Sequence, residues 1–158
     1  MKGLLPILKW IVIVLVVVFI GIQFYRPART NPPIEPAQTI EAHTQMTPEV
    51  SSILDRSCRD CHSNKTVWPW YTQIAPVSWW LVNHVNDGRH DLNISEWGKL
   101  TRDRQDRKLR QICDAVEDGV MPLSSYLPMH PAAQLSDQDK KTLCDWTDVQ
   151  RERLTASK

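Results

Sequence analysis

Apolar side chains fill the first stretch of the chain almost without a break, then recur at helical spacing through the rest. From Leu4 to Tyr25 the run "LLPILKWIVIVLVVVFIGIQFY" is interrupted only by Lys9 and Gln23. A helix over these positions would rise about 33 Å, enough to cross the hydrocarbon core of a bilayer. Gln23, Phe24, Tyr25 and Arg26 stand where a cleaved signal peptide would have small residues, and the two aromatics suit an interface instead. Residues 1–25 are therefore expected to form one uncleaved transmembrane signal-anchor helix, with membrane lipid as its partner. Lys2 and Lys9 on one side and Arg26 and Arg29 on the other give little positive-inside bias.

Residues 26–45 carry Pro27, Pro32, Pro33 and Pro36 and few bulky apolar side chains. They read as a semi-rigid tether, whose second half could equally pack along the domain that follows. Residues 46–158 then show four helical patterns. Thr47 can cap a helix that Pro48 opens and Glu49 supports, with Val50, Ile53, Leu54, Cys58 and Cys61 on one stripe. A second helix opens after Pro76 and runs through Val85, and a short helical piece is possible after Ser95. Leu109, Ile112, Cys113 and Val116 mark the third helix, stopped by Gly119. Ser136 and Asp139 form a weak capping box for the last, whose buried face is read as Leu143, Trp146 and Val149. Strand patterns are nearly absent. The expected fold is all-α, with long loops that only something bound inside would order.

With Lys2 and Lys9 set aside, 17 of the 19 basic side chains remain against 18 acidic ones. That balance excludes the basic field nucleic acid requires. Neither an internal repeat nor a Gly-rich phosphate loop is present.

The chemistry concentrates in "DRSCRDCHSNKTVWPWY". A zinc site would need a second close ligand pair, but Cys113 and Cys144 stand apart on different helices. A thioredoxin-type pair needs a preceding strand, and none is read here. Covalent haem meets each condition. Cys58 and Cys61, three apart on one turn, can form thioethers to two porphyrin vinyl groups, and His62 can bind the iron beside them. The expected cofactor is thus haem c. Because c-type haem is attached outside the cytoplasmic membrane, the chain is expected to be a single-pass protein of the cytoplasmic (inner) membrane with its C-terminal domain in the periplasm or outside. Met121, on the loop after the third helix, is the expected sixth ligand to iron. Met129 and His130 on the same loop, His84 and His90 near the second helix, or an open position are the alternatives.

The segments "CRDCHSNKTVWPWYTQIAPVSWWL", "GRHDLNISEW" and "GVMPLSSYLPMHPAAQLSDQDKKTLCDW" resemble the bacterial haem-binding domain family, over about Thr39 to Val149. Its members are small, usually membrane-anchored proteins with a single C-x-x-C-H. The resemblance implies thioethers at Cys58 and Cys61 and His62 as proximal ligand. "MPLSSY" is also similar to the methionine loop of class I cytochromes c, which suggests a cytochrome c-like helical domain and supports Met121.

Of the seven tryptophans, six lie beyond residue 26, where they serve as packing residues or wall a porphyrin. Arg89 is either a propionate partner or an ordinary surface arginine. Cys113 and Cys144 are expected to form a structural disulfide. The run "RDRQDRKLR", Arg102 to Arg110, is read mainly as a solvated face, otherwise as a surface that steers an acidic partner. The expected function is a monohaem c-type cytochrome domain that passes single electrons to redox partner proteins in or near the membrane. A haem-based ligand sensor with an open sixth position is the alternative. Peroxidase-like turnover is disfavoured, because no distal His–Arg pair can be placed.

Overall fold

A computed structural model describes residues 4–156, all of them helical or irregular, with no strand among the described residues. The all-α expectation is met. Among the described residues there are seven α-helices: α1 (Leu4–Ile22), α2 (Ile40–His43), α3 (Pro48–Ser57), α4 (Arg59–His62), α5 (Val77–Asp91), α6 (Arg102–Glu117) and α7 (Asp137–Ala156). Short 3-10 turns, among them Trp70–Gln73, Ile94–Lys99 and Leu127–Met129, punctuate the connections.

The expectation of a membrane-crossing helix is corrected. The apolar run extends to Tyr25, but α1 stops at Ile22, and Gln23, Phe24 and Tyr25 leave it through i to i−3 hydrogen bonds. Its described extent is 19 residues. Among the described residues no helix is long and apolar enough to cross a membrane. The single-pass location in the cytoplasmic membrane falls with it. Where α1 ends, Gln23 binds the domain: its Nε2 donates to the Ala75 carbonyl at 3.1 Å, and its Oε1 accepts from the Ala75 N–H at 2.9 Å.

Residues 26–45 lie along the domain surface. Arg29 donates to the Thr72 carbonyl and Asn31 to that of Thr66, and Ile40 is fully buried in the core. Beyond it the caps form as their residue types dictate. The Thr47 hydroxyl accepts from the Val50 N–H, with Pro48 at the first helical position. Ser136 and Asp139 exchange reciprocal bonds, N–H to Oδ2 at 2.9 Å and N–H to Oγ at 3.1 Å. Gly119, at φ 69°, takes the left-handed conformation that lets the chain turn after α6.

Val50, Ile53 and Leu54 of α3 pack with Trp97, with Leu109, Ile112 and Val116 of α6, and with Leu143 and Trp146 of α7. A Cys113–Cys144 disulfide, with Cα atoms 4.9 Å apart, staples α6 to α7. The expected face of α7 is corrected at one position. Val149 is 44% exposed, and Thr147 and Gln150 are buried in its stead. The reason is polar. Gln150 donates to the Gln45 carbonyl and accepts from the Gln45 N–H, so a hydrogen-bonding residue fills the inward slot.

Candidate functional site

The α3 helix ends at Ser57, one residue before the motif, because Cys58 adopts φ −126° and ψ −41°. The chain resumes helix at once in α4, and the Cys61 and His62 N–H groups both donate to the Cys58 carbonyl. This kink leaves Cys58 packed against the edge of the core and carries Cys61 off the stripe on which the sequence pattern placed both. They face a cavity of about 290 Å³ that Cys58, Cys61, His62, His84, Gly88 and Met121 help to line.

His62 is held by the helix opposite. Its Nδ1 lies 3.0 Å from the Gly88 carbonyl and 3.1 Å from the Leu92 carbonyl. Two carbonyls can only accept, so Nδ1 carries the proton and Nε2 keeps the ring's lone pair for a metal. Helix α5 can come this near because residue 88 has no side chain. A Cβ there would sit 2.7 Å from the Cys61 carbonyl oxygen.

The loop after His62 is just as tightly bound. Ser95 Oγ accepts from the Asn64 N–H at 3.0 Å, Asn93 Nδ2 donates to Asn64 Oδ1 at 2.8 Å, and Ser63 Oγ donates to the Arg59 carbonyl at 2.7 Å. Arg59 itself pairs with Asp55 and Glu41. Burial pushes the Glu41 carboxyl up, but Arg59 together with backbone and Thr39 hydrogen bonds offsets this and leaves it below the usual range.

Both motif thiols are harder to ionise than free cysteine. Burial pushes Cys58 up to about 12 and Cys61 up to about 11. That is the reverse of the lowered thiol of a dithiol redox pair. A four-cysteine zinc site is ruled out as well, since Cys113 and Cys144 are bonded to each other.

Met121 lines the same cavity and is fixed at its root by an N–H to Ala115 carbonyl bond of 2.9 Å. Of the alternative sixth ligands, His84 also lines it. Met129 is 56% exposed, His90 is exposed, and His130 lies in a smaller adjoining cavity of about 40 Å³. None of the tryptophans lines the larger cavity: Trp97 and Trp146 are core, and Trp68 lines the smaller one. Arg89 is bound to protein throughout, donating to Ser63 O, Thr30 O, Asn31 Oδ1 and Thr66 Oγ1. It ties residues 30–31 to the loop after His62. The Arg102–Arg110 run lies largely in solvent, with Lys108 paired to Asp91 and Asp106 to Arg151.

Sequence reasoning missed three contributors: Gly88, Asp60 and Tyr126. Gly88 was hidden because a glycine among polar residues reads as a loop. Asp60 occupies an unspecified position of C-x-x-C-H, and Tyr126 sits 66 residues away with no local pattern to link them.

An all-α domain that directs two cysteines, a tautomer-locked histidine and a methionine into one cavity has the donor set of a haem protein. The profile of the haem-binding domain family matches residues 17–149, and the chain belongs to that family. Its cofactor is haem. No curated protein and no solved structure matches the chain.

Proposed function

We propose that this domain holds haem covalently as haem c and passes single electrons between redox partner proteins. Cys58 and Cys61 would hold the porphyrin as thioethers, their S–H bonds having added across two vinyl groups with no net oxidation. His62 Nε2 would bind the iron from the motif side and Met121 Sδ from the loop side. The group supplies one-electron cycling of its iron. The chain's own residues do the rest. Gly88 O and Leu92 O keep the imidazole oriented and its Nδ1 protonated, which makes Nε2 a stronger donor. A thioether as sixth ligand raises the reduction potential, as suits electron transfer rather than oxygen activation.

The observation that supports this reading best is the hydrogen-bonded pose of His62 in a cavity that Cys58, Cys61 and Met121 also line. The test is the visible spectrum of Met121→Ala in haem-loaded protein. Loss of the methionine-to-iron charge-transfer band and of the low-spin form is expected. A spectrum identical to that of the unaltered chain would remove Met121 from the iron.

A further inference from the structure

The loop between α6 and α7 carries Met121 yet contains only short 3-10 turns, Leu127–Met129 and Pro131–Ala133. What holds it over the motif is therefore a matter of individual bonds. Near its start the Met121 N–H donates to Ala115 O, and near its end Ala133 O accepts from Ser57 Oγ at 2.9 Å. Midway, Tyr126 Oη donates to Asp60 Oδ2 at 2.6 Å, inside the C-R-D-C-H turn itself.

Both partners of that middle bond are held by further contacts. The other Asp60 oxygen accepts from the Val67 N–H at 3.1 Å, and its backbone carbonyl accepts from Thr66 Oγ1 at 2.7 Å. The Tyr126 ring stacks on His130, with centroids 3.8 Å apart and planes 9° from parallel. His130 Nδ1 donates back to the Tyr126 carbonyl, so its Nε2 is left to accept from Tyr71 Oη at 3.2 Å. Burial and the Asp60 carboxylate keep the Tyr126 phenol far above its ordinary range, so it stays a donor. Tyr126 lines both cavities, and with Asp60, Cys61 and His84 it forms their common wall.

We propose that the Tyr126–Asp60 hydrogen bond is a latch that seats the Met121 loop against the haem-attachment turn and so restricts access of small ligands to the iron. The proposal rests on the ligand reading above. A bond from a phenol to a carboxylate is among the stronger neutral-to-charged pairs, so removing it shifts the closed–open balance of the loop measurably. Tyr126 is a positioning residue here, acting through the loop and not on the iron.

Imidazole titrated into the ferric, haem-loaded full chain provides the test. Tyr126→Phe is expected to bind imidazole about tenfold more tightly than the unaltered chain, with unchanged far-ultraviolet circular dichroism and haem content. Asp60→Ala should do the same from the other side, and the double variant should gain no more than either single one. Met121→Ala sets the limit of an open position. If the unaltered chain binds more weakly than Met121→Ala but Tyr126→Phe and Asp60→Ala match the unaltered chain, the latch is overturned and the ligand reading stands. If the unaltered chain already binds as tightly as Met121→Ala, both are overturned.

Discussion

Gly88 touches the motif twice: its carbonyl accepts from His62 Nδ1 at 3.0 Å, and its α-carbon faces Cys61 so closely that a Cβ would meet that residue's carbonyl oxygen at 2.7 Å. One residue of α5 thus sets both the orientation of the imidazole and the spacing between helix and motif. The neighbour in the way is backbone, which cannot swing aside as a side-chain tip would.

Gly88→Ala is accordingly expected to push α5 off α4. Overpacking of this kind costs about 1–3 kcal/mol. A denaturant titration checks the stability, and the haem spectrum checks the imidazole, which should show a weakened or heterogeneous iron bond. Gly88→Ser should behave no better.

Removing the α6–α7 staple should separate stability from the site. The disulfide closes a loop with a sequence separation of 31, for which chain entropy implies about 3–4 kcal/mol. Cys113→Ser with Cys144→Ser is expected to lower the denaturant midpoint by a corresponding amount while the haem spectrum keeps its band positions. A change in the spectrum would mean that α6 transmits the loss to the Met121 loop.

The N-terminus of α7 should make stability sensitive to acid. Bonds from the Ser136 backbone N–H and hydroxyl, with Arg56 2.7 Å away, hold the Asp139 carboxyl below its ordinary range. Its folded pKa is thus depressed below the unfolded value of about 3.9. The resulting stability is fully present above that value and is lost as pH falls through the folded pKa. Asp139→Asn should be less stable than the unaltered chain at pH 7, and the gap should close below about pH 4. A gap that persists unchanged in acid would contradict the ionic contribution.

How much of this was readable in the chain depended on whether the cause was local. Thr47, Pro48 and Ser136 announce their helix ends because capping involves residues within one turn. The motif drew attention to this turn because Cys58, Cys61 and His62 are neighbours in the chain. The extension of α5 beyond Val85 was not legible, because "NDGRHD" is polar and glycine-containing; the motif's packing against Gly88 and the Leu92 carbonyl holds it helical. Val149 misled for a similar reason, since the buried Gln150 bonds to Gln45, 105 residues away. The apolar run before Tyr25 overstated its helix, whose end at Ile22 coincides with the long-range bonds of Gln23 to Ala75. Arg89 shows the limit of reasoning from type alone: a guanidinium suits a propionate, but four protein oxygens already accept from this one.

Covalent attachment of the porphyrin at Cys58 and Cys61 is what the proposed function depends on. It is tested most directly by the intact mass of the denatured chain after maturation in a host able to attach haem c. A mass raised by that of one haem is expected, with loss of that increment when both cysteines are replaced by serine. An unadorned chain whose haem extracts cleanly into acid–acetone would contradict it.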